Sequence, residues 1–190
     1  MPRVGFPISA QPLWLPTENL AAGPWEPVCA PVRLASAAAS VSFASIPAQY
    51  VMFRLRCEII NDASAKTIDL RLNNDSGVNY DTQQINVSNV TVTGGRSTGR
   101  TSMYVNYSNL AASELGTVDF VIAKPIAGAA GLILASVVNT TTAALDLVLD
   151  ACIWNNTAAL INRIDVVAAA AAGTGNFAAG SIFILEGSKS

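Results

Sequence analysis

Histidine is absent from all 190 residues, and Asp, Glu, Lys and Arg together make up only 13% of the chain, about half the share usual in a soluble domain. Without imidazole the sequence lacks the commonest general base, the usual partner of a nucleophilic serine or cysteine, and a frequent zinc ligand. The acids that remain, such as Glu58, Asp69, Asp119, Asp146, Asp150 and Asp165, stand singly in apolar surroundings. None forms the facing carboxylate pair that a glycosidase needs, so the sequence reads as non-enzymatic. The three cysteines, Cys29, Cys57 and Cys152, are far apart and include no Cys-x-x-Cys pair. They read as reduced, buried thiols rather than a metal site or a disulfide framework.

Other shortages bound the partners. The eleven basic residues are scattered singly and the net charge is −2, so no cationic stripe is present to neutralise phosphates and nucleic acid is not an expected partner. The longest apolar stretch, residues 126–138, is broken by Gly128, Gly131 and Ser136. It is shorter than the ~20 residues of a membrane-spanning helix and reads as buried β-structure; no membrane partner is expected. At the N-terminus Arg3 is followed by Pro7, Pro12 and Pro16, which interrupt any run of signal-peptide type. Six Asn-x-Ser/Thr triplets begin at Asn74, Asn86, Asn89, Asn106, Asn139 and Asn155; without a secretory signal they carry little weight.

What the chain has in abundance is aliphatic residues: 51% of it is hydrophobic. That is the reverse of a disordered composition, and some of this apolar surface is expected to end at subunit interfaces. Seven of the nine prolines fall in the first 31 residues, where each fixes φ and removes an amide donor. Residues 1–40 therefore read as an extended arm, followed by a folded domain over residues 41–190. The arm also carries Phe6, Leu13, Trp14, Leu15 and Trp25, side chains of little use in a solvated linker, so it is expected to lie on a neighbouring subunit or a partner.

From Val41 onward, short runs rich in Val, Ile, Thr, Tyr and Phe alternate with Asn, Asp, Gly and Ser, the pattern of strands and turns. Strands are expected at residues 41–46, 50–60, 67–73, 83–87, 102–107, 117–122, 132–138, 145–154, 161–167 and 181–185. Between residues 145 and 150 the alternation is strict: Leu145, Leu147 and Leu149 share one side, and Asp146, Val148 and Asp150 the other. One side is core and the other wet. Helix-forming stretches at residues 35–39, 110–115 and 168–172 are short, so at most a turn or two of helix is expected. The fold class is all-β, an antiparallel β-sandwich.

Two segments resemble ligand loops. Residues 94–101, Gly-Gly-Arg-Ser-Thr-Gly-Arg-Thr, match phosphate-loop spacing with Arg100 in place of lysine. A strand follows where the loop needs a helix, so the segment reads as a hairpin tip. Residues 73–81 gather side-chain oxygens, yet no glutamate closes an EF-hand and Asx turns explain the composition. Neither metal nor cofactor is expected. Asn73, Asn74, Asp75, Tyr80, Arg96 and Arg100 are retained as loop contacts with a partner.

Three pieces in order, Phe43-Ala44-Ser45-Ile46-Pro47-Ala48-Gln49-Tyr50, then residues 70–80 (Leu-Arg-Leu-Asn-Asn-Asp-Ser-Gly-Val-Asn-Tyr) and residues 176–187 (Asn-Phe-Ala-Ala-Gly-Ser-Ile-Phe-Ile-Leu-Glu-Gly), resemble a tailed-bacteriophage virion module found in capsid decoration (cement) proteins and at the tips of tail fibres and tailspikes. The resemblance spans roughly residues 41–187, with Glu186 where an aromatic would be expected. It implies a homotrimeric jelly roll, made in the host bacterial cytoplasm and placed on the capsid surface of the virion against the major capsid protein. The alternative it implies is a receptor-binding tip that recognises a host glycan. A chain starting at Met1 without heptads is expected to fit decoration better than the end of a long fibre.

Overall fold

The computed structural model describes residues 25–62, 66–88, 90–105, 115–124, 128–140, 145–170 and 175–189. These hold thirteen strands: β1 (Glu26–Pro27), β2 (Val32–Arg33), β3 (Ser40–Phe43), β4 (Tyr50–Ile60), β5 (Lys66–Leu72), β6 (Tyr80–Ser88), β7 (Thr91–Arg100), β8 (Met103–Val105), β9 (Leu115–Ala123), β10 (Gly131–Thr140), β11 (Leu145–Trp154), β12 (Ile164–Ala170) and β13 (Ile182–Lys189). The described residues include no helix. All pairings are antiparallel and form two sheets, a β-sandwich. The large sheet runs β1-β13-β4-β9-β10-β11-β6-β7, with β2 also on β13; the small one runs β3-β12-β5-β8.

The core lies between the sheets and follows the two-residue period of each strand. From the large sheet come Phe53, Leu55, Cys57 and Ile59 of β4, Phe120 and Ile122 of β9, Ile133 and Val137 of β10, and Phe183 and Leu185 of β13. The small sheet supplies Val41 and Phe43, Ile68, Leu70 and Leu72, Met103 and Val105, and Ile164 and Val166. Fully burying such a side chain contributes roughly 1.5–3 kcal/mol.

The alternation in β11 holds, but its buried side is the one carrying Val148 and Asp150, joined by Cys152 and Trp154; Leu147 and Leu149 face outward. The deciding residue is Trp154. Its indole N–H donates to Asp75 at 2.8 Å, and the Lys124 ammonium sits 4.6 Å from the centre of its ring. Lys124, itself only 2% exposed, donates to the carbonyls of Ala129 and Asn156. A ring so placed fixes the parity of the whole strand.

The loop between β5 and β6 is a structural turn. Asn73 and Asn74 take positive φ (54° and 55°), which asparagine tolerates better than most residues. The Asn73 side-chain oxygen accepts from the amides of Asn162 and Arg163 at 2.9 and 3.1 Å, and its amide donates to the Leu160 carbonyl at 2.7 Å. Tyr80 is fully buried, and its hydroxyl accepts from the Leu72 amide at 2.9 Å, tying the large sheet to the small one.

Other expectations shift. Residues 94–100 are no hairpin tip but part of β7, paired with β6 from Tyr80↔Arg100 to Ser88↔Thr91. Residues 132–138 are buried on one side only. From Glu26 on, the proline-rich segment is built into the sheet edge: β1 pairs with Glu186 and Gly187, and β2 with Ile182 and Phe183. The Tyr50 hydroxyl donates to Glu26 at 2.8 Å, and Lys189 pairs with the same carboxylate. The Tyr50 ring lies over Gly187, where a Cβ would come within 2.4 Å of it. Gly187→Ala is expected to displace that ring and lower stability by about 1–3 kcal/mol, read as a fall in the denaturant midpoint. Trp154→Phe, which keeps the packing and loses the bond to Asp75, should cost about 1–3 kcal/mol.

Candidate interaction surface

The outward sides of the two sheets differ in kind. On the small sheet they carry Ser40, Ser42, Arg71, Arg163 and Asp165. Arg163 Nε reaches both Asp165 oxygens at 2.9 Å and Ser42 donates to the same carboxylate, so these three side chains form a polar network. On the large sheet, β10 and β11 present Leu132, Leu134, Val138, Leu147, Leu149 and Ile153. Leu132 is 58% and Leu134 52% exposed, whereas Ile133 between them is 3%. Largely apolar on both sides, with Asp150 the buried exception, these strands have the makeup of fully covered ones, yet among the described residues only one side is covered.

Strand register places the outward residues in rows. One row runs Ser188, Met52, Ala123, Leu132, Ile153, Asp81; the next runs Glu186, Arg54, Val121, Leu134, Ala151, Gln83, Arg96. The side nearer β13 is charged: Arg54 Nε donates to both Asp119 oxygens at 3.1 Å, and Arg56 pairs with Glu186 at 3.2 Å. Exposed pairs of this kind contribute only ~0.2–1 kcal/mol each; their effect is to mark where the apolar area stops. On the far side it continues through Ile85 and Val92, both exposed.

Within this area lies a hollow of about 480 Å³. The small side chains of Ala123 and Ala151 leave the space, Val121, Leu132, Leu134 and Ile153 wall it, and Asp81, Gln83 and Arg96 stand at its polar end. It accepts an apolar or aromatic group with one hydrogen-bonding edge. Covering the half-exposed aliphatics around it is worth about 1 kcal/mol apiece.

The residues singled out from sequence are distributed unevenly. Phe6, Leu13, Trp14 and Leu15 lie outside the described residues, and Trp25 is half-buried just before β1. Asn73 and Asp75 are engaged internally: Asp75 accepts from Trp154, from the Gly77 amide at 2.9 Å and from the Asn79 amide group at 3.0 Å. Burial alone would raise the Asp75 pKa, but these donors, with Asn156, hold it below the usual carboxylate value. Tyr80 is in the core and is no loop contact. Asn74 is exposed, and the Arg100 guanidinium lies 4.9 Å from the Tyr104 ring centre. Only Arg96 borders the hollow. The outward aliphatics of β10 and β11 escaped the sequence reading because an apolar run shows no sidedness. Extending the alternation to Cys152 and Trp154 would have revealed it.

Among the described residues no cluster of three or more His, Cys, Asp or Glu could hold a metal ion, and no helix is long and apolar enough to cross a membrane. Cys57 and Cys152 are buried, whereas Cys29 is exposed, which corrects the expectation for that thiol. Burial raises the Cys57 pKa well above its ordinary value and that of Cys152 to about 11. In the native protein a thiol reagent such as 5,5′-dithiobis(2-nitrobenzoate) should titrate Cys29 alone. Because the folded-state pKa values lie above the unfolded value of 9.0, the unfolded chain loses these protons first, so stability holds below pH 9 and falls above it. The Cys152 share is on the order of 2–3 kcal/mol by pH 11, and Cys152→Ala should remove that share from the pH profile of unfolding.

No family model matches the chain, and no curated protein or solved structure matches it either.

Proposed function

We propose that this chain is a structural protein of a tailed-bacteriophage virion, a homotrimeric decoration (cement) protein that binds the outer capsid surface and stabilises the shell without catalysing a reaction. The observation that carries this reading is the apolar side of β10 and β11 that none of the described residues covers. A contiguous patch with a charged border marks a protein interaction site, and it sits on a rigid sheet rather than on loops. The shortage of acid–base groups fits a mechanical role.

The connectivity supports the jelly-roll part of the proposal. The chain changes sheets at β2 to β3, β3 to β4, β4 to β5, β5 to β6, β7 to β8, β8 to β9, β11 to β12 and β12 to β13, and from β3 to β12 this is the alternation of the two interleaved Greek keys of a jelly roll. The hairpins β9-β10-β11 then widen the large sheet where one strand would suffice. These added strands are the ones with an apolar outward side, which links the widening to contact with a partner. The glycan-binding alternative has less support, since Asn73 and Asp75 are held by internal bonds and Tyr80 is buried.

Cosedimentation tests the proposal. Incubated with empty shells of its phage and with host cells, the purified protein should pellet with the shells, and Leu147→Glu, on the same apolar side but outside the hollow, should release it at least tenfold more readily while unfolding at the same temperature. Binding to host cells and not to shells would replace this function with receptor recognition.

A further inference from the structure

The hollow on the large sheet and the start of the described chain lie on opposite flanks of the same sheet. The hollow spans β9, β10, β11 and β6, whereas β1 is the edge strand at the other end. Twenty-four residues precede Trp25, and they include Leu13-Trp14-Leu15. An indole flanked by two leucines matches the hollow in chemistry: aliphatic walls for the ring, and the Asp81 carboxylate and Gln83 amide oxygen at one end for its N–H. Tryptophan is suited to such a site because it couples a large apolar area to one directional donor.

Reach allows two destinations. Trp25 lies eleven positions after Trp14, up to about 34 Å at ~3.1 Å per residue, while four strand spacings from β1 to β10 are only ~19 Å. Direction distinguishes them. Glu26 pairs with Gly187 and Pro27 with Glu186, so the chain before β1 heads past Ser188 and off the end of the sheet. A return across the same molecule would first meet Glu186, Ser188, Arg54 and Met52. A neighbouring copy set beside the β1 edge offers its hollow instead. With donor and acceptor on opposite flanks, each copy gives one segment and receives one, a head-to-tail contact of the kind that forms a ring when the rotation between copies closes.

We infer that residues 13–15 of one copy occupy the Ala151 hollow of the next, with Trp14 as the anchor. This rests on the self-association in the proposed function and adds its means. The segment also suits the task thermodynamically: its prolines restrict the free chain, so less entropy is lost on docking.

Complementation in the full-length protein provides the test. Trp14→Ala removes the anchor, and Ala151→Arg fills the hollow from an exposed position outside the core. By light scattering the parent should be an oligomer and each variant alone should fall to the mass of one chain, still unfolding cooperatively and at the temperature of the other variant, below the parent by the stabilisation that association supplies. Mixed one to one, they should form a species of twice that mass, because the intact segment of the Ala151→Arg chain meets the intact hollow of the Trp14→Ala chain. Variants that keep the parent's mass, or a mixture that stays monomeric, would overturn the inference while leaving self-association standing. A parent that is itself monomeric would remove the self-association reading and this inference with it.

Discussion

The two-residue period of a β-strand gives β10 and β11 two sides, and in this chain both are largely apolar, with Asp150 the buried exception. Burial against the small sheet satisfies the side carrying Ile133, Ala135, Val137, Val148 and Cys152. The other side, with Leu132, Leu134, Leu147, Leu149 and Ile153, has no counterpart among the described residues of its own chain. Hydrophobic free energy scales with the area removed from water, so the sheet is stable as a sandwich half but carries a standing drive to be covered. The ion pairs of β4, β9 and β13 limit that drive to one region. The small sheet, whose outward groups bond to one another, does not share it.

What holds the sandwich in register is a set of buried polar anchors at its ends. Trp154 between Asp75 and Lys124 and Asn73 against the segment before β12 each join elements far apart in sequence, and Tyr80 against Leu72 joins the two sheets across the turn between β5 and β6. Each polar atom in these anchors has a partner, so it adds specificity without a large desolvation penalty. They also set which side of β11 faces in. The outward leucines are thus a consequence of an indole placed at the end of the strand.

The sequence made the strands legible where alternation or length was unambiguous. Residues 50–60 and 145–154 coincide with β4 and β11, and the Asn-rich segment is the turn its composition implies. Three features were hidden, for different physical reasons. Strand β7, Thr-Val-Thr-Gly-Gly-Arg-Ser-Thr-Gly-Arg, has almost no apolar pattern because both of its sides are exposed. Strands β1 and β2 sit among prolines, which edge strands tolerate because one side of their backbone needs no partner. The sidedness of β11 is set by Trp154, beyond residues 145–150 where the alternation is strict, and it reaches the unbroken apolar run of β10 only through strand register. The candidate surface was legible only as an excess of aliphatic residues and a shortage of charge; its position required the register of five strands.

Hydroxyl-radical footprinting of the assembled protein probes the central claim most directly, since it reports the solvent contact of individual side chains. If the outward side of the large sheet is an interface, Leu132, Leu134 and Ile153 should be oxidised as slowly as the core residue Ile133 and become reactive on dissociation. Oxidation of Leu132 and Leu134 in the assembly at the rate of freely exposed leucines would contradict the account.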